Sequence, residues 1–99
     1  MKSKNERVVC ADGFSMSVQA DEFTYCSPRI DKAEKYTQVE IGFPSESEDL
    51  IIDWAEDRDK PTETVYGYVP VSVVTSVLAK HGGMVSGAVP AGVAPLRAS

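Results

Sequence analysis

At 99 residues, with 42% hydrophobic and 25% charged residues, the chain has the ordinary proportions of one globular domain. Fifteen Asp and Glu against ten Lys and Arg give a net charge of −5. That balance argues against direct nucleic-acid binding, because affinity for phosphates comes largely from Lys and Arg displacing counterions. No apolar run approaches the ~18 residues of a membrane span, and no apolar stretch of ~7–15 residues follows the polar start as a secretory leader requires, so the expectation is a cytoplasmic protein with no membrane partner.

Residues 1–6 are polar and charged and read as a flexible N-terminus. Residues 7–11 (RVVCA) and 14–20 (FSMSVQA) alternate with period two around Asp12-Gly13, a dipeptide suited to the type I′ turn of a tight hairpin. In the second of these strands Phe14, Met16, Val18 and Ala20 share one face. A loop over 21–35 contains Ser27-Pro28-Arg29. Residues 36–43 (YTQVEIGF) alternate again, with Val39, Ile41 and Phe43 predicted inward and Tyr36, Gln38 and Glu40 outward; Pro44 ends the strand.

Residues 50–55 (LIIDWA) read two ways. Ser45 three residues before Glu48 resembles a capping box that opens a short helix. The same apolar run equally makes a strand, followed by a hairpin loop over 57–63, and the strand is the preferred reading. Residues 64–69 (TVYGYV) form the next strand, with Val65 and Val69 inward and Tyr66 and Tyr68 outward. Residues 71–81 carry Val74, Val77, Leu78 and His81 at helical spacing. Pro70 suits the first helical position, Lys80 and His81 the C-terminal dipole, and Gly82-Gly83 the C-cap. Residues 84–99 hold Ala, Gly, Pro and Val with no aromatic and no acid, and read as a flexible tail. The predicted unit is a single α+β domain over 7–83, a four- to five-stranded, mostly antiparallel sheet with one C-terminal helix packed on one face.

Charge is concentrated. Residues 1–35 balance six acids with six bases, whereas 46–63 hold Glu46, Glu48, Asp49, Asp53, Glu56, Asp57, Asp59 and Glu63 against only Arg58 and Lys60, a local charge of −6. Such a run keeps a small protein soluble. It also attracts a basic partner, or imitates the phosphates that partner normally holds. Tyr66 and Tyr68, on the outward face with Tyr36 and neutral polar groups, suit contact with another protein or a second copy of the chain. Tyr25, Ser27 and Arg29 place a guanidinium on a proline-stiffened loop beside an aromatic and a hydroxyl, a combination able to grip a phosphate; the plainer reading is a surface ion pair.

Motifs of catalysis are absent from the sequence: no GxxxxGK phosphate loop, no strand–GxGxxG–helix unit and no HExxH. Cys10 and Cys26 stand sixteen residues apart without a CxxC, and His81 alone could join them, a weak zinc set. A Cys26–His81 nucleophilic pair is formally open, although a His in a last helical turn reads more simply as a charge partner. Asp57-x-Asp59 with Glu63 lacks the glycine of a calcium loop. The reading is therefore a protein without catalytic residues, metal or cofactor, and with free thiols.

The stretches DGFSMSVQA (12–20), YCSPR (25–29), VEIGFPSE (39–46) and TVYGYVPVSVV…HGG (64–83) resemble small accessory proteins encoded by phages and prophages. The resemblance implies a host-takeover or anti-defence role, such as inhibition of a CRISPR effector. That class is defined by role, so no residue function transfers. The resulting expectation is an acidic inhibitor whose 46–63 segment, with Tyr66 and Tyr68, occludes a basic, nucleic-acid-handling host protein. A module sequestering a phosphorylated ligand between copies through Tyr25, Ser27 and Arg29, or a minor virion component, are the alternatives.

Overall fold

The first hairpin forms where the alternation places it, but on a different turn. In the computed structural model, which describes residues 4–99, β1 (Val8–Cys10) pairs antiparallel with β2 (Ser15–Gln19), Val8 opposite Met16. Residues 11–13 make a three-residue loop: Cys10 N–H donates to Phe14 O at 2.8 Å and Gly13 N–H to Cys10 O at 3.0 Å. Only Gly13 of that loop has a positive φ, +95°. A type I′ turn needs positive φ at both central residues, whereas a turn closed by one left-handed glycine suits a three-residue loop. Asp12 Oδ1 also accepts the Phe14 N–H at 2.9 Å, leaving Oδ2 for a distant partner.

The remaining elements are β3 (Gln38–Gly42), β4 (Val65–Pro70), α1 (Val71–Lys80) and β5 (Met84–Ser86). All pairings in the sheet are antiparallel, in the order β4-β3-β2-β1-β5. Val74, Val77 and Leu78 of α1 are buried in one apolar cluster with Val8, Met16, Val18, Val39, Ile41 and Val69, so the helix covers one face of the sheet. The helix starts one residue later than Pro70 suggests, with Pro70 as the N-cap. It ends as Gly82-Gly83 requires. Both glycines have φ of +88°, Gly83 N–H donates to Leu78 O at 2.8 Å and Gly82 N–H to Ala79 O at 3.2 Å, the two bonds of a Schellman cap. Among the described residues no helix is long and apolar enough to cross a membrane.

Several local expectations are corrected. Residues 50–55 are not a strand: Ile52–Trp54 form a 3-10 helix and only Ala55 bridges to Tyr66 of β4. Ser45 does not cap this helix either, because its hydroxyl accepts the Ser15 N–H at 2.9 Å at the end of the sheet. The turn is set instead by Glu48, whose carbonyl accepts the Ile51 N–H and whose carboxylate accepts the Leu50 N–H. Phe43, expected inward, is exposed with φ of +49°, while Tyr36, expected outward, is buried and donates its hydroxyl to Ile30 O at 2.7 Å.

The stretch 84–99, expected to be a loose tail, contributes β5, and its Met84 and Val93 are buried. Its backbone is bonded into the fold: Tyr36 N–H donates to Ala91 O at 2.8 Å and Ala88 N–H to Glu6 O at 3.1 Å. Residues 1–3 of the expected flexible N-terminus lie outside the described residues, but Asn5 exchanges hydrogen bonds with Gln19 at 2.9 Å. Small residues make this docking possible where bulk would not, since a Cβ on Gly92 (φ +106°) would lie 2.2 Å from Tyr36 O. Residues 96–98 shield the outer side of β5, and Ala55, Glu56 and Tyr25 shield that of β4, which removes bare strand edges. Gly92→Ala should therefore undock the C-terminal stretch. Hydrogen exchange at the Tyr36 amide should speed at least tenfold, while amides of β2 and β3 keep their protection.

Candidate docking surface

The acidic segment divides on folding. Glu48 is 1% exposed and belongs to the interior, so it is removed from the expected contact surface. Its Oε1 lies 2.6 Å from His81 Nε2, and its Oε2 accepts from Lys80 Nζ at 2.8 Å and from the Leu50 N–H at 2.9 Å. Asp12 Oδ2 holds the other ring nitrogen, Nδ1, at 2.6 Å, and the imidazole stacks on Phe14 with centroids 4.0 Å apart. One imidazole thus joins the β1–β2 turn, the C-terminus of α1 and the loop after β3.

The protonation of this cluster follows from its contacts. Burial alone would lower the His81 pKa, but the hydrogen bonds and charges of Glu48 and Asp12 outweigh it and hold the ring above its ordinary value of 6.5. Burial likewise pushes Glu48 up, and Lys80, the Leu50 N–H and His81 overcome it, leaving the carboxyl below its ordinary 4.5. Asp12 is lowered by the Phe14 N–H and then by His81. Lys80 is raised by its hydrogen bond to Glu48. With a carboxylate oxygen 2.6 Å from each ring nitrogen, the geometry favours the charged ring, which donates both N–H groups. The Cys26–His81 pair is consequently not assembled, and Cys26 Sγ donates instead to Asp21 O at 3.1 Å. Burial, then the nearby Asp12 charge, pushes the buried Cys10 thiol up.

The other seven carboxylates of the segment are solvent-exposed and fall into two groups. Glu46 and Asp49 sit where their charges act on Lys80. Asp53 lies in the 3-10 helix, Glu56 and Asp57 follow it beside the start of β4, and Asp59 and Glu63 lie in the turns that lead into β4. Glu56 N–H donates to Val65 O at 3.0 Å and Asp57 N–H to Thr64 Oγ1 at 3.1 Å, so this loop is fastened to the sheet. Arg58 reaches Asp53 at 3.5 Å, with both side chains mostly in solvent, a pair worth little in water.

Beside this loop the two tyrosines of β4 part company. Val39 pairs with Val69 and Ile41 with Tyr66, so Glu40 faces both Gly67 and Tyr68, a β-bulge. The extra residue resets the alternation. Tyr66 turns into the core, fully buried, with its hydroxyl on Pro61 O, and is withdrawn from the expected contact surface. Tyr68 takes φ of +57° and stays 43% exposed. Its N–H donates to Tyr25 O at 3.0 Å, while the Tyr25 N–H donates to Glu40 Oε2 at 3.0 Å. A Cβ on Gly67 would stand 3.1 Å from Tyr25 Cβ, so the glycine lets the 21–35 loop close over the bulge.

The result is a groove of about 220 Å³ lined by Tyr25, Trp54, Ala55, Glu56, Gly67 and Tyr68. The Tyr25 and Tyr68 rings are 5.9 Å apart. Of the residues expected to grip a phosphate, Arg29 and Tyr25 do meet, in a cation–π contact with the guanidinium carbon 5.4 Å from the ring centroid. Ser27 is committed through its backbone to Gln38 and Thr37. Trp54 and Gly67 of the groove escaped the sequence reading. A glycine inside an alternating run is the available signal of a bulge, and applying it would have separated Tyr66 from Tyr68.

The cluster around His81 makes stability depend on pH in two directions. The His81 contribution is complete below about 6.5 and is lost as pH climbs through the raised folded value; those of Asp12 and Glu48 are complete above their ordinary carboxyl values and are lost as pH falls through the lowered ones. Urea unfolding should thus show greater stability at pH 5.5 than at pH 8, and His81→Gln should largely abolish that difference. Neither a scan against protein-family models nor searches of curated proteins and of solved structures finds a match for this chain.

Proposed function

We propose that this chain is a non-catalytic docking protein that covers a basic surface on a nucleic-acid-handling partner, using the five exposed carboxylates between Asp53 and Glu63. The observation that carries the reading is that all five carboxylates are exposed within residues 53–63, on backbone fastened to the sheet through Glu56–Val65 and Asp57–Thr64, and that only the solvent-exposed Arg58–Asp53 pair offsets them among the ion pairs of the described residues. Carboxylates clustered on anchored backbone present charge as a phosphate backbone does, without the ordering cost of a disordered acidic tail. Such charge mainly accelerates encounter and selects the partner, and salt screens it. A phage-encoded inhibitor of a host defence effector is the setting in which this reading fits the resemblance of the sequence.

Reversal of the loop charge tests it. The tagged chain should retain nucleic-acid-binding proteins from host lysate at 50 mM NaCl, and duplex DNA should compete for them. Asp57→Lys, Asp59→Lys and Glu63→Lys combined should reduce retention about tenfold or more, as should raising salt to roughly 500 mM. All three side chains are exposed, and the bond that joins two of these residues, from the Asp59 N–H to Asp57 Oδ1 at 3.0 Å, is local to the loop; an unchanged circular dichroism spectrum and melting temperature show that the variant keeps the fold. Equal retention by the two proteins, together with insensitivity to salt, defeats the proposal.

A further inference from the structure

We infer that the groove between Tyr25, Trp54 and Tyr68 seats a single arginine side chain of the basic partner. The inference deepens the docking reading and rests on it. Three aromatic residues and one carboxylate, Glu56, line the groove. Aromatic faces carry negative quadrupole charge and attract a cation, and a carboxylate at the rim supplies a two-oxygen acceptor for a guanidinium fork. An anionic ligand is repelled by Glu56 and by the net charge of −5, and a neutral ring gains burial and stacking but no attraction from the carboxylate.

The groove is prepared before any partner arrives. Tyr68 is held in the left-handed region, sparsely populated for a bulky side chain, by the Glu40 bulge and its N–H bond to Tyr25 O. Tyr25 is held in turn by Glu40, and Glu56 by Val65. These bonds fix the backbone that carries the two rings and the carboxylate, so less of the chain has to be ordered on binding. The planar guanidinium is preferred over an ammonium for two reasons. It stacks flat on an aromatic ring while keeping its edge donors for Glu56, and it is the more weakly hydrated cation. The Tyr25 ring already takes one guanidinium, that of Arg29, which does not line the groove.

Trp54 is the only tryptophan, so its fluorescence reports on the groove directly. The probes are N-acetyl-arginine amide and N-acetyl-lysine amide, each with one charge, titrated at constant ionic strength. The arginine probe should give a saturable change, with the lysine probe at least fivefold weaker. Tyr68→Asn removes the ring but keeps a residue that tolerates positive φ, and should weaken the arginine probe about tenfold. Glu56→Gln, nearly isosteric on an exposed side chain, should weaken it about threefold or more. A response that does not saturate, equal affinity for the two probes, or unchanged affinity in both variants overturns the inference. Because the probes carry single charges, that failure is separable from the docking reading: a chain that still captures basic proteins in a salt-sensitive way, yet ignores the arginine probe, docks through its carboxylates alone.

Discussion

Glu48 is a carboxylate in the interior of a small protein, and the geometry around it organises much of what lies outside. An unpaired buried charge is expensive, so it must find cations and N–H donors, and here they come from Lys80, His81 and Leu50. His81 in turn brings Asp12. The network holds the end of α1, the first hairpin turn and the loop after β3 in one arrangement. It also bends the chain at residues 48–51, which starts the 3-10 helix and directs the later carboxylates toward the β4 edge.

A second constraint works at the other side of the sheet. A single extra residue in β4 turns Tyr66 inward and Tyr68 outward, although a regular strand would keep both on one face. The inward ring fills the core beneath the acidic loop, and the outward ring meets Tyr25 and the Trp54 turn. Core and groove are consequently built by neighbours two residues apart. The strained backbone at Tyr68 is tolerated because bonds from Tyr25 and the β3 ladder determine it from several sides.

These features place aromatic and acidic groups side by side on fixed backbone. Charge spread over a loop guides approach over several ångströms and is readily screened. The proposed short-range seat for one planar cation would add selectivity that charge alone lacks. The imidazole, with both ring nitrogens engaged by carboxylates, ties three segments of the scaffold together.

Local patterning was enough to read β1 to β4, the helix from Val71 and its glycine stop, because period-two and helical spacings are properties of a segment by itself. It also showed the acidic run. It did not reveal β5, and it left strand and short helix open at 50–55 while preferring the strand: Met84 and Ile51 gain their burial from elements remote in sequence, and the small-residue composition of 84–99 resembles that of a loose tail. Nor could it tell Glu48 from its acidic neighbours, since the partners that bury it lie 32 and 33 residues away, and Asp12 meets His81 across 69. Residue type and spacing specify which face an element has to hide; which groups meet behind that face is decided by the register of strands and the packing of loops, and only the folded chain contains that information.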